Sequence, residues 1–264
     1  MLVERGLLTL TIYDRSYIWK HKIKRLFGIL GLSDKTLWDL IQLIIIPIVI
    51  AFATFWFTNQ NNELNRSLAE ETSRENILKN YYSDISTLIL DEDLLHSENG
   101  SNVSIIARTK TLSTLRRLDG VRKGYVLAFL YEAGVISGEE PIISLVDADF
   151  RDTFLNFVDL EGVNLNGADF RRADLAGTNF EGAYLELTDF SYANIQCLNL
   201  RGVHINYTHF TQSLLVGSLM EDTDFSKAYF SGADLSLCHL DDSVFDPYTY
   251  SDNTIIWPDD FVLP

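Results

Sequence analysis

The stretch ADFRRADLAGTNFEGAYLELTDF, residues 168–190, decides the fold because its pattern repeats every five residues. A large apolar residue returns at every fifth position, and a small residue stands two places before it. From Phe150 to Phe245 every fifth residue is Phe, Leu, Ile or Met, with no polar residue and no slip of register. Neither the 3.6-residue period of a helix nor the two-residue period of a strand produces this pattern. A fixed short period predicts a repeat architecture.

A second period, of twenty residues, predicts how many sides each coil of the solenoid has. Phenylalanine recurs at every twentieth residue, so four pentapeptides per coil would stack one core ladder: Phe150, Phe170, Phe190, Phe210 and Phe230. Twenty pentapeptides then make about five coils, roughly 24 Å long at the β-strand spacing. We predict an all-β solenoid over residues 146–245, a four-sided β-helix with a dry core, preceded by α-helices.

The repeat block resembles a known family. Ala148-Asp149-Phe150, Ala173-Asp174-Leu175 and Ala193-Asn194-Ile195 follow the motif of the pentapeptide-repeat family, in which Ala is followed by Asp or Asn and then Leu. The resemblance implies a right-handed quadrilateral β-helix and brings no catalytic residue. Thr254–Phe261 looks like a tail that follows the repeats in some members. Because solenoids need caps, we expect residues 104–140 to cap one end and 248–264 the other.

The N-terminal part of the chain predicts a membrane anchor. Residues 1–39 form a basic segment of net charge +3, and the rest of the chain carries −19, for a total of −16. Between these regions Leu40–Phe57 has no charged residue, and as a helix it would span about 27 Å, close to the hydrocarbon thickness of a bilayer. We predict a single transmembrane helix over residues 40–57. A buried core helix and a signal peptide are the alternatives.

The flanking charges predict the orientation. Basic residues are more frequent before the apolar segment than after it, which favours a cytoplasmic N-terminus and an exported repeat block in a single-pass membrane protein. The segment together with residues 118–134 also resembles membrane-anchored pentapeptide-repeat proteins.

A helical stalk is predicted over residues 58–95, because the chain lacks Gly and Pro from Glu63 to Leu95. Alternating four- and three-residue steps define a heptad seam, formed by Leu64, Leu68, Glu71, Glu75, Leu78, Tyr82, Ile85 and Ile89. Such a seam can dimerise as a short coiled coil, giving a homodimer through the stalk, or pack on its own domain. We predict that residues 104–140 form a helical hairpin with its turn near Asp119.

The sequence predicts no enzyme, cofactor site or metal site. It has no phosphate-binding glycine loop, zinc-protease motif or nucleophile elbow. In the four-sided register His204, His209 and His239 fall on three different sides, whereas a metal site needs ligands that converge. Cys197 is predicted to point outward and Cys238 inward. The negative charge argues against direct binding of nucleic acid.

Two outer surfaces are candidates for protein binding. One is an acidic face along 20-residue columns, comprising Asp159, Glu161, Glu181, Glu221, Asp222, Asp241 and Asp242. In it Arg201 is expected to bridge Glu181 and Glu221. The alternative to a binding surface is a solvated face whose charge this arginine compensates. The other is an apolar patch of four residues: Tyr184, Leu187, His204 and Tyr207. A contiguous exposed apolar patch marks an interface. The alternative is that the helices of residues 104–134 in the same chain cover it.

Three functions follow as hypotheses. The first is a membrane-anchored, non-catalytic scaffold that binds an unknown protein partner through its rigid faces. The second, implied by the family resemblance, is a DNA mimic that binds a DNA-binding enzyme such as gyrase. An enzyme with an unrecognised site is the third.

Overall fold

The computed structural model describes residues 22, 25, 42, 45–247 and 253–261. The chain divides into two compact units, residues 1–69 and 70–264. The predicted basic segment, residues 1–39, lies outside the described residues except for Lys22 and Arg25.

One long helix, α1, spans Ile46–Leu90. It contains Pro47 in its first turn and no other Gly or Pro. Part of the predicted span, residues 40–57, lies outside the described residues, and the rest forms the start of α1. Within the described part of the chain, no helix has an apolar stretch of the length that crossing a membrane requires.

The predicted stalk boundaries, residues 58–95, are corrected at both ends. The helix already runs from Ile46, and it stops at Leu90 because the following residues form a turn in which Asp93 has a left-handed backbone (φ 55°). A short 3-10 helix, Leu94–His96, follows. In residues 70–90 the seam packs on its own domain, where Leu78, Tyr81 and Ile85 are buried.

Two further helices form a hairpin, α2 (Asn102–Leu115) and α3 (Gly120–Glu132). Ser101 and Asp119 cap their N-termini, each side chain accepting a backbone N–H three residues later. The predicted hairpin range, residues 104–140, is too long because α3 ends at Glu132. The chain after it forms turns and bends, and Ser137 forms an antiparallel bridge with Val163.

The repeat block forms coils of twenty residues. Parallel bridges join the residue before a large core residue to the residue twenty positions later, as in Asp149–Asp169 and Asp169–Asp189. Most pairings are single-residue bridges, and a two-residue parallel pair joins β1 (Asp224–Phe225) to β2 (Val244–Phe245). Four pentapeptides therefore complete one coil, and each outer position forms a column along the solenoid.

Stacked rings fill the core. Phe170, Phe190 and Phe210 are fully buried, and the centroids of neighbouring ladder rings lie 4.9–5.5 Å apart from Phe150 to Phe230. At the small inward positions, hydroxyl groups donate to backbone carbonyls of the coil before. Thr188, for example, bonds the Leu165 carbonyl at 2.9 Å. Each coil thus satisfies polar groups that the dry core would otherwise leave unpaired.

At almost every corner the backbone is left-handed two residues after the large core residue. Glycine occupies this position at Gly182 and Gly202, with φ near +60°. Leu187 and Tyr207 adopt the same conformation with φ of 60° and 57°. Asp and Asn side chains support the turns by accepting the backbone N–H two residues later, as Asp189 does from Ser191.

Both ends of the described repeats are covered by other segments of the unit. At the first coil, α3 approaches so closely that a Cβ on Gly124 would lie 2.6 Å from the Phe154 carbonyl oxygen. At the last coil, Ile256 pairs in parallel with Asp234. Trp257 packs edge-on against Phe245, with ring centroids 5.3 Å apart.

Candidate interaction surface

The candidate apolar patch lies on one side of the β-helix and the corner that follows it. The rings of Tyr184 and His204 stack with centroids 4.4 Å apart and planes 6° from parallel. Leu187 and Tyr207 occupy the adjacent corner on consecutive coils and are 64% and 50% exposed. The structure therefore brings all four predicted patch residues together.

A second ring stack, which the sequence reasoning missed, lies on the far side of the same corner. His209 and Tyr229 have ring centroids 4.5 Å apart, and both side chains are exposed. The signal that could have found them is their 20-residue spacing. We call the six residues the aromatic ridge: Tyr184, Leu187, His204, Tyr207, His209 and Tyr229.

Backbone hydrogen bonds between coils hold the ridge in place. The amide of Leu187 donates to the Asn206 carbonyl at 2.8 Å, and that of Tyr207 donates to the Lys227 carbonyl at 3.0 Å. Beside the corner, the Asn206 side chain donates to the Glu186 carboxylate. The ridge side chains project from a cross-linked backbone rather than from a flexible loop.

On the candidate acidic face, Glu181 and Glu221 are hydrogen-bonded to neighbouring side chains. Arg201 makes two hydrogen bonds to Glu221, at 2.8 and 3.0 Å, and the Glu221 side chain is only 15% exposed. Although burial of Glu221 acts to raise its pKa, the bonds and charge of Arg201 together with a backbone hydrogen bond hold the pKa below its usual value. The expected bridge from Arg201 to Glu181 is corrected, because Glu181 accepts instead from Asn199 at 2.9 Å.

The remaining members of the face are carboxylates at the surface. Asp159 accepts from the Asn179 side chain at 2.8 Å and from the backbone N–H of Glu161, two residues later, at 3.3 Å. Asp222, Asp241 and Asp242 are exposed at the last two coils, and the latter two line an open cavity there. Among the described residues, no group of three or more His, Cys, Asp or Glu side chains could hold a metal ion.

Acidic and basic side chains alternate along another column. Lys123 of α3 donates to Asp149, which also accepts two bonds from Arg151 at 2.9 Å. Arg171 repeats the arrangement with Asp169 one coil later. Although burial of Asp149 acts to raise its pKa, the bonds from Arg151 and Lys123 hold the pKa well below its usual range.

A cluster of charges joins α1 to the hairpin. The nearly buried guanidinium of Arg122 donates to both Glu71 and Glu75 of α1 and to the cap residue Asp119. The two glutamates that interrupt the heptad seam are therefore the residues that pair with this arginine. Desolvation opposes the effect, yet the bonds and charge of Arg122 lower the pKa of Asp119.

The two cysteines are free and differ in exposure. Cys197 is exposed at a corner, whereas Cys238 is buried and its thiol donates to the Leu215 carbonyl. Burial raises the pKa of the Cys238 thiol to about 11, so it is protonated at neutral pH.

The comparison with protein families identifies the repeat block. The family described as Pentapeptide repeats matches residues 143–182, 168–206 and 206–242. The repeat block, residues 143–242, is therefore similar to this family, whose members form right-handed β-helices. No curated protein matches the chain.

Solved structures of pentapeptide-repeat proteins align with parts of the chain. A protein from the cyanobacterium Cyanothece is 22% identical over 38% of this chain, with a TM-score of 0.19, and the chain spans 63% of its length. A thylakoid-lumen protein from Arabidopsis thaliana is 23% identical over 38% of this chain and 69% of its own, with a TM-score of 0.26. QnrB1, a plasmid-mediated fluoroquinolone resistance protein, is 19% identical over 41% of this chain and 75% of its own, with a TM-score of 0.17.

Proposed function

We propose that this protein is a non-catalytic scaffold that binds another protein through the aromatic ridge of its β-helix and is anchored to a membrane by residues 40–57. The observation that carries the binding function is the ridge itself: two ring stacks flank an exposed apolar corner on a rigid backbone. Tyrosine and other aromatic residues are enriched at the centres of protein interfaces.

The rigidity of the ridge favours binding. A side chain that is already held against a neighbour loses less conformational freedom when a partner covers it. Tyr184 and Tyr229 are each stacked on a histidine in the uncomplexed chain. A partner with a complementary apolar surface would therefore bury the ridge with little reordering of this protein.

The membrane anchor is supported within residues 45–57 by the exposure of large apolar side chains. Phe52 is 69% exposed, Phe55 is 71% exposed and Trp56 is 55% exposed. Exposed apolar surface of this kind marks contact with a protein or a membrane. The excess of basic residues before the segment favours a cytoplasmic N-terminus and exported repeats.

A matched pair of variants tests the binding surface. The double variant Leu187→Asp, Tyr207→Asp places charge on the ridge, and Leu237→Asp is its control. Leu237 is 70% exposed at another corner and has nearly the same φ of 59°. Proteins crosslinked to the intact chain in its native cells are quantified for all three forms. We expect proteins that crosslink to the wild type and the control but not to the ridge variant; identical sets for the three forms would refute this binding surface.

Extraction and thiol labelling test the anchor and its orientation. If residues 40–57 span a membrane, the chain remains in the membrane fraction after alkaline carbonate extraction, whereas release into the supernatant would refute the anchor. A membrane-impermeant thiol reagent applied to intact cells then labels exposed Cys197 if the repeats are exported. Labelling only after lysis would place the repeats in the cytoplasm.

The DNA-mimic hypothesis has less support from the surface charges. A mimic needs a continuous row of unpaired carboxylates to replace phosphates, yet Arg151, Arg171 and Arg201 pair with acids along the coils. Arg172 likewise bonds Asp152 at 2.8 and 2.9 Å. Inhibition of gyrase supercoiling by the purified chain would restore this hypothesis.

A further inference from the structure

The heptad seam of α1 has two different environments along its length. From Glu71 onward it faces the chain's own hairpin: Glu71 and Glu75 bind Arg122, and Leu78 and Ile85 are buried. This part of the seam is therefore occupied within one chain.

The preceding part of the seam is exposed. Phe57, Leu64 and Leu68 are 62%, 56% and 56% exposed, and Asn61 between them is exposed as well. These four residues continue the four- and three-residue steps of the occupied part without a change of register. We call Phe57, Asn61, Leu64 and Leu68 the stalk stripe.

The residue spacing of the stalk stripe allows it to pack against the same stripe on a second, identical helix. A repeat of 3.5 residues lets two helices supercoil with their stripes facing each other. In heptad terms Asn61 and Leu68 occupy a positions, and Phe57 and Leu64 occupy d positions. A single polar asparagine at an a position among apolar neighbours favours two parallel strands in one register, because the two amides can bond each other across the axis.

The residues beside the stripe permit the same pairing. The flanking e and g positions are Thr58, Gln60, Asn65 and Ser67, none of which is charged. Two parallel copies would therefore bring no like charges together along this contact. The charged residues of the segment, Glu63 and Arg66, occupy the outward c and f positions.

We propose that the stalk stripe pairs with the same stripe of a second copy, forming a short parallel coiled coil that ends where Glu71 begins to face the hairpin. The occupant is a second copy because the stripe is self-complementary in spacing, in its central asparagine and in the absence of charge beside it. The contact covers fewer than two heptads, so the dimer is in exchange with monomer. This inference does not depend on the membrane anchor.

Cysteine crosslinking in cells tests the register. In a Cys197→Ser background, Asn61→Cys places a thiol at the stripe, and Glu63→Cys places one two residues away on the outward face. Under mild oxidation we expect a disulfide-linked dimer of the Asn61→Cys chain, because facing a positions of a parallel pair are close, and little for Glu63→Cys. Equal crosslinking of both, or of neither, would overturn the proposal.

A charge insertion gives an independent readout. Leu64→Glu with Leu68→Glu puts four carboxylates into the contact, while Asn62→Glu with Ala69→Glu adds the same charge at outward b positions. The mass of the purified full chain is measured by light scattering over a concentration series. We expect the stripe variant to remain monomeric, and the control to dimerise like the wild type. A stripe variant that dimerises as well as the wild type would refute the stripe as the contact.

Discussion

The hydroxyl of Thr178 lies 2.7 Å from the carbonyl oxygen of Leu155, 23 residues earlier on the preceding coil. The same relation joins Thr208 to Leu185 at 2.6 Å. Thr153 stands at the equivalent position of the first coil, but 23 residues before it lies helix α3 instead of a coil. Its hydroxyl is buried without a hydrogen-bond partner. At Thr153, where no coil lies beneath, the hydroxyl thus lacks the carbonyl that bonds Thr178 and Thr208.

Replacing these threonines by valine should give opposite results. Thr178→Val removes a buried hydrogen bond and leaves a carbonyl with less compensation, so we expect a loss of about 1–2 kcal/mol in the free energy of unfolding. Thr153→Val removes an unpaired buried hydroxyl and should be neutral or stabilising. Denaturant unfolding of the full chain in detergent measures both. Equal losses for the two variants would contradict the account.

The packing of α3 on the first coil predicts the effect of adding one methyl group. Gly124→Ala improves helix propensity by about 1 kcal/mol, yet its Cβ would lie 2.6 Å from the Phe154 carbonyl oxygen, which is backbone. We expect net destabilisation of about 1–3 kcal/mol from overpacking. Val121→Ala, on the exposed face of the same helix, should stay within about 0.5 kcal/mol of the wild type. A thermal shift assay compares the two, and a stabilised Gly124→Ala would show that the helix does not dock closely.

We expect the ion pairs of Arg122 to contribute to the free energy of unfolding, because they join α1 to the hairpin. Arg122→Met removes the shared partner of Glu71, Glu75 and Asp119 and leaves three carboxylates close together. We expect a loss of about 1.5–3 kcal/mol, the range for a hydrogen bond to a charged group, and faster amide exchange in residues 70–90. Arg116→Met, at an exposed position next to the same turn, is the control. Unchanged exchange in the Arg122 variant would contradict this role.

The depressed pKa of Asp149 leads us to expect a lower free energy of unfolding at acid pH. Its pKa is depressed in the folded chain, so the stabilisation it provides is present above the unfolded value near 4 and is lost as the pH falls toward the folded value. Asp149→Asn keeps an acceptor for the turn but removes the charge that binds Arg151 and Lys123. We expect the variant to be less stable at pH 7, with the difference shrinking below about pH 4. Unfolding midpoints from pH 7 to pH 2 measure this, and a constant difference would contradict it.

The sequence could predict features that depend on period alone. The pentapeptide pattern predicts a four-sided coil because only one arrangement buries every fifth residue together with its small neighbour. The same twenty-residue register predicts that Tyr184 stacks on His204 of the next coil. Positions twenty residues apart become neighbours whatever the detailed packing, and the His209–Tyr229 stack could have been found by the same spacing.

Features that depend on which segments meet were not predictable in this way. The sequence left open whether the heptad seam pairs with another chain or with its own, and the two glutamates within it looked like interruptions. Their role became visible only with Arg122, about fifty residues later, because nothing in a local pattern tells which distant charge will meet them. On the acidic face Arg201 was likewise expected to bridge two glutamates, whereas in the structure it bonds Glu221 and Glu181 accepts from Asn199 instead.

The sequence by itself determined the β-helix, its five-residue sides and its twenty-residue coils, since burial of apolar side chains at a strict period admits one backbone path. Only the tertiary structure decided how the ends are closed, which hydroxyls find a carbonyl and which carboxylates are neutralised. These depend on single contacts between segments far apart in the chain, where a methyl group or a change of ion-pair partner alters the outcome. The repeating pattern therefore does not predict those contacts.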